Sequence, residues 1–160
     1  MSRAFAACAA LVATLGCSGP DLGVPPQVCS TQAVNAGKSD LMEPGGTCIN
    51  CHGSYDGPSF ALAGTVMTAL HDDTNCAGAA DVTVAITGAD GMRVELVTNA
   101  NGNFTLDRWP GTNLFPYMAE VSRDGVVGKM LTPRQQGQGD CNSCHAATGV
   151  NAAPGRIVAP

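Results

Sequence analysis

Two pentapeptides in this chain place cysteine and histidine at a spacing that can attach a porphyrin. They are CINCH at residues 48–52 and CNSCH at residues 141–145. In this C-x-x-C-H pattern, two thiols three positions apart can add to the two vinyl groups of one haem. The histidine that follows supplies one axial ligand of the iron. We therefore predict two covalently attached haem c groups. The predicted attachment and ligand residues are Cys48, Cys51, His52, Cys141, Cys144 and His145.

Two other interpretations of the cysteine pairs remain open. Each pair could close as a disulfide, or the four thiols together could hold a zinc ion. In a zinc site of four cysteines, the histidine after each pair would have no role. Thiolates are also easily oxidised outside the cytoplasm. Haem attachment therefore explains more of the pattern.

The second axial ligand of each iron must come from a small set of side chains. The chain has three histidines, so after the two motifs only His71 remains, and at most one iron can have two histidine ligands. Its alternative role is that of a solvated loop residue beside two aspartates. Methionine could serve the other iron and would raise its potential. The candidates near the haem segments are Met130 and Met42, and the alternatives are core packing or an open or water-ligated iron.

Arg156 is a candidate partner for a haem propionate. Arg156 follows the second motif, and a guanidinium suits the bidentate binding of a carboxylate such as a haem propionate. The alternative is a free charge on an irregular tail.

The N-terminus predicts export. Residues 1–16 carry one positive charge and an apolar run too short to span a bilayer, which is typical of a signal peptide. The run ends in ATLGC at residues 13–17, which resembles a bacterial lipobox. That resemblance implies a lipid on Cys17 and a tether to a membrane, whereas an ordinary signal peptide would be cut nearby. Both alternatives place the chain in the periplasm, at the outer membrane or at the cell surface.

The cysteine count is consistent with two haem attachment sites and one lipid site. The chain has eight cysteines. One lies in the signal segment, Cys17 would carry the lipid, and four would carry haem. The remaining pair, Cys29 and Cys76, is predicted to form a disulfide in an oxidising compartment. The alternative is two buried thiols.

The hydrophobic pattern predicts a mainly β fold, a small β-sandwich flanked by two loop-rich haem-binding segments. Short alternating runs separated by turn residues occur throughout residues 60–132. Two runs are expected to point alternate residues inward: Val82, Val84 and Ile86, then Met92, Val94 and Leu96. The predicted organisation is a signal peptide at 1–16, a linker at 17–40, the first haem segment at 41–59, the sandwich at 60–132, and the second haem segment with a tail at 133–160.

Four stretches within the sandwich region carry a family resemblance. They are GTV at 64–66, VTV at 82–84, TNANGNF at 98–104 and PY at 116–117. This region resembles the carboxypeptidase regulatory-like, transthyretin-like sandwich domains. The resemblance implies a scaffold without peptidase chemistry. With the two haem motifs, the whole chain resembles a dihaem c-type cytochrome.

Composition and charge narrow the possible functions. Charged residues make up 13% of the chain, the net charge is −5, and no lysine or arginine cluster occurs, which excludes nucleic-acid binding. The prediction is electron transfer between redox partner proteins, with an acidic surface that favours a basic partner. The alternatives are a small dihaem peroxidase or reductase and a non-redox exported binding module. Assembly of several copies is left open.

Overall fold

The computed structural model describes residues 41–42, 44–54, 57–71, 77–134 and 139–160. The predicted lipid site Cys17 and the predicted Cys29–Cys76 disulfide lie outside these residues. No helix in the described ranges has the length and apolar character needed to cross a bilayer. The elements are α1 (Cys48–Ser54), β1 (Leu62–Met67), β2 (Thr83–Thr87), β3 (Arg93–Val97), β4 (Asn103–Leu106), β5 (Met118–Arg123), β6 (Val126–Lys129), a 3₁₀ turn (Cys141–Ser143) and β7 (Ile157–Val158).

The strands form two sheets, which confirms the predicted mainly β fold and is consistent with a small β-sandwich. One sheet has the order β4-β1-β7 and the other has the order β3-β2-β5-β6. All pairs are antiparallel except β1 with β7, which run parallel. The expected alternation on β2 is present, because Val84 and Ile86 belong to the hydrophobic core.

Strand β1 holds the smaller sheet together and also faces the motif segments. All six of its residues are buried. Leu62 and Val66 belong to the hydrophobic core, whereas Thr65 and Met67 contact Gly45 in the first haem segment. Successive side chains of a strand point to opposite faces, so β1 is covered on both sides.

Two expectations from the sequence are wrong. Met92 was expected on the core face, but its side chain is 40% exposed. It precedes β3, an edge strand, and its carbonyl closes a turn with the N–H of Gly88. The tail after the second motif is predicted to be irregular, but Ile157–Val158 pairs with β1 as β7. A two-residue strand has too short a pattern to be found without its partner.

Candidate functional site

The first C-x-x-C-H motif forms a short helix. Cys48 and Cys51 lie one turn apart on α1 and therefore on the same face. Neither thiol is part of a disulfide, and both are half-buried. Burial raises the pKa of the Cys48 thiol to about 12, with smaller contributions from Asp140 and Cys141. The ring of His52 packs against Phe60 with centroids 4.8 Å apart.

The second motif forms the 3₁₀ turn and places its two thiols differently. Cys144 is half-buried, whereas Cys141 is buried in the hydrophobic core. The Cys141 Sγ lies 3.9 Å from the hydroxyl oxygen of Tyr117. Burial raises the pKa of the Cys141 thiol to about 12. This close packing needs glycine at position 64, since a Cβ there would lie 2.8 Å from the Cβ of Cys141.

The two motifs meet through the side chain of Asp140. Its Oδ2 accepts a hydrogen bond of 2.9 Å from the N–H of Ile49, 91 positions away at the start of α1. Burial raises the pKa of this carboxyl, although nearby backbone amides oppose the shift. Those amides come from both motifs: Ile49, Asn50, Asn142 and Ser143. One carboxyl therefore interacts with backbone amides in the first turns of both motifs.

Asn142, inside the second motif, makes the second connection. Its Oδ1 accepts from the N–H of Thr65 at 3.0 Å, and its Nδ2 donates to the carbonyl of Gly46 at 2.7 Å and to the Thr65 hydroxyl at 3.0 Å. The same hydroxyl accepts from the N–H of Gly45 at 3.0 Å and donates to Asn103 Oδ1 at 2.8 Å. The hydroxyl thus uses its one donor and both acceptor positions. We call Thr65, Asp140 and Asn142 the inter-motif joint.

The structure places His71 beside the second motif. Its Nδ1 lies 2.8 Å from the carbonyl oxygen of Ala147. The Nδ1 of His145 lies 2.9 Å from the carbonyl oxygen of Gly155, and burial lowers the pKa of His145. The ring of His71 also lies close to Gly155, where a Cβ would be 3.1 Å from two ring atoms. Because a carbonyl can only accept, each Nδ1 is the donor, and in a neutral ring this leaves the lone pair on Nε2, where it could bind a metal.

His52 is held differently from these two rings. Its Nδ1 is buried and has no hydrogen-bond partner among the described residues. It packs close to Gly57, where a side chain would strike the ring. The two predicted proximal ligands therefore differ in what orients them, although their motifs are alike in sequence.

The two candidate methionines occupy unlike positions. Met42 has a side chain that is 39% exposed, and its carbonyl accepts a 2.7 Å bond from Asn103 Nδ2. Met130 is half-buried and packs against the core, and its N–H donates to the Ala119 carbonyl at 2.9 Å. Met42 is thus an exposed residue of the predicted first haem segment, whereas Met130 directly follows strand β6.

Arg156 is not a free charge on a tail. Only 3% of it is exposed, because its guanidinium lies against Gly45 and its N–H donates to the Leu70 carbonyl at 3.0 Å. The alternative interpretation of this residue is therefore wrong. Its pairing with a haem propionate stays a prediction.

The inter-motif joint was not found from the sequence. Asn142 sits at an unspecified position of the motif pattern, and threonine or aspartate at a buried site has no periodic signal. Across the described ranges, no group of three or more His, Cys, Asp or Glu side chains lies together in a way that could hold a metal ion. No family model, curated protein or solved structure matches this chain.

Proposed function

We propose that this chain is an exported dihaem c-type cytochrome that transfers electrons between redox partner proteins. The observation that carries the proposal is the contact between the two motifs, in which Asp140 Oδ2 binds the first helix 2.9 Å from Ile49 N. A carrier needs its iron centres close to one another, and the sandwich brings both attachment sequences to one place.

The residues present fit haem c at both motifs. None of the four motif thiols is part of a disulfide, and an uncharged thioether suits the buried position of Cys141. The Nδ1–carbonyl bonds of His145 and His71 leave Nε2 available as an iron ligand. Bound haem would supply reversible one-electron chemistry. The chain would orient the ligands, bury the attachment sites and hold the motifs together.

The placement of the side chains supports different ligand sets for the two proposed haem irons. We assign His145 and His71 to the second motif, because both rings lie beside Gly155. The first motif then has His52 and a methionine or an open position. Met42 is better placed than Met130, because Met42 is exposed in the first segment whereas Met130 packs against the core. A methionine ligand would give the first haem the higher potential.

The rest of the proposal concerns location and partner. The signal segment and Cys17 support export with a lipid anchor. The net charge of −5 favours a redox partner with a basic docking surface. The buried guanidinium of Arg156 beside the first segment supports its role as a propionate partner.

Haem stoichiometry tests the function. The full chain is exported in a host with c-type haem attachment machinery, and the intact mass and the pyridine haemochrome spectrum are measured. We expect two covalent haems per chain. Replacing Cys48 and Cys51 by serine should leave one haem, and replacing Cys141 and Cys144 should leave the other. A wild-type protein without covalent haem would overturn the proposal.

The ligand assignment has its own test. His71→Ala should convert one of the two haems from a low-spin to a high-spin spectrum, and the effect should persist when the first motif is removed by serine substitution. Carbon monoxide added to the reduced wild-type protein tests the peroxidase alternative. Rapid and complete binding at one haem would favour an enzyme with an open iron.

A further inference from the structure

The side chain of Asn142 does more than the C-x-x-C-H pattern requires. The two positions between the cysteines are unspecified in haem attachment, yet Asn142 is only 3% exposed. Its side chain makes three hydrogen bonds to backbone groups and a hydroxyl, besides a longer contact with the Cys48 sulfur. None of these bonds stays within its own motif. Two reach Thr65 in β1, and one reaches Gly46, two residues before the first motif.

Asn142 also completes the hydrogen bonding along one edge of β1. The N–H of Ala63 donates to the Gly139 carbonyl at 2.9 Å, and β7 pairs with β1 from Val66 onward. Between them, the N–H of Thr65 donates to Asn142 Oδ1 at 3.0 Å. The amide therefore stands where a strand backbone would stand. A group held by a strand edge has little freedom to move, so the second motif is fixed on β1.

Asp140 fixes the first motif to the second. It pairs with Ala63 as an isolated parallel bridge, so its backbone is held by β1, and its carboxylate accepts from the first turn of α1. The first thiols of the two motifs consequently face a common region. The Cys48 Sγ lies 3.9 Å from the Nδ2 of Asn142, the residue that follows Cys141.

We propose that Asn142 and Asp140 are positioning residues that fix the two haem groups relative to each other, so that the pair behaves as one electronically coupled unit. This inference rests on the proposed dihaem function. It goes further because it assigns a role in inter-haem geometry to two side chains that are neither attachment residues nor iron ligands in the motif pattern.

The experiment uses the mature dihaem protein and reads the coupling between the haems. Two coupled porphyrins give a bisignate circular-dichroism couplet in the Soret band, and they also shift each other's midpoint potential during a redox titration. We expect a couplet in the wild type. Asn142→Ala should keep two covalent haems but lose or reshape the couplet. The matched control is Asn50→Ala, which makes the same change inside the first motif. This variant should keep the couplet.

If Asn142→Ala fails to acquire both haems, variants of Asp140 test the inference instead. Asp140→Asn keeps an oxygen that can accept from Ile49, so the couplet should survive, whereas Asp140→Ala should lose it. A dihaem wild type without a couplet would overturn the inference, and so would a couplet unchanged in both alanine variants. Absence of covalent haem in the wild type is a different result, because it removes the proposed function itself.

Discussion

The folded chain should protect the first cysteine of each motif from alkylation. In the haem-free protein, burial raises the pKa of Cys48 and of Cys141 from 9.0 to about 12. Because the thiolate is the reactive form, a rise of this size lowers the reactive fraction at pH 8 by about 1,000-fold. The half-buried second cysteine Cys144 should react much faster than Cys141.

The assay is a timed pulse of iodoacetamide on the full chain, produced without haem attachment and kept reduced. Peptide mass spectrometry then gives a labelling rate for each cysteine, and the same pulse in concentrated urea gives the rate of the exposed thiol. We expect the native rate of Cys141 to be lower than its urea rate by a factor near the thiolate ratio. If Cys141 labels equally fast in both conditions while circular dichroism reports a folded sandwich, the described packing of the second motif is wrong.

Three further substitutions follow from the packing around the joint and from one surface loop. Thr65→Val keeps the side-chain shape but leaves several buried partners of the hydroxyl without a bond, so the free energy of unfolding should fall by about 2 to 4 kcal/mol, measured by urea denaturation. Gly64→Ala pushes a methyl group against Cys141, so overpacking should cost about 1 to 3 kcal/mol by the same measurement. Asp90 accepts bonds from backbone amides and from Trp109, and these hold its pKa at about 2. Its folded pKa lies below the ordinary 3.8, so its contribution to stability is complete above that pH and is lost as pH falls toward 2. Asp90→Asn should therefore flatten this acid limb of the stability–pH curve.

Each of these substitutions has a control within the chain. Thr83→Val changes a half-buried threonine in β2 and should cost little. Gly53→Ala lies in α1, where an added Cβ would meet nothing within 4 Å, so it should be neutral or slightly stabilising. Asp107→Asn removes an exposed carboxylate and should keep the acid limb. Equal losses in a variant and its control would remove the explanation offered for that variant.

Periodic features of the sequence were sufficient to predict a mainly β fold. The run containing Val84 and Ile86 alternates because one of its faces packs on the other sheet, and the structure has a strand there. Strand β1 is different, since all six residues are buried and it carries no alternation.

The joint could not be predicted, because it depends on contacts between residues far apart in the chain. Asn142 resembles an ordinary motif spacer until the N–H of Thr65 is placed beside it. Arg156 likewise resembles a tail charge until β7 brings it against Gly45. The position of His71 beside the second motif rather than the first also follows only from the fold.

The hydrogen bond between Ile49 and Asp140 has a consequence for the order of events during maturation. It joins residues 91 positions apart, and contacts of such long sequence separation form late, because the chain must first give up the entropy of a large loop. In the proposed exported cytochrome, the C-terminal motif must also cross the membrane before the bond can form. We therefore expect both attachment sequences to stay open while the chain emerges, which leaves a period for haem attachment before the two motifs close over each other. Because this contact forms late, cofactor attachment would come before the final folding step.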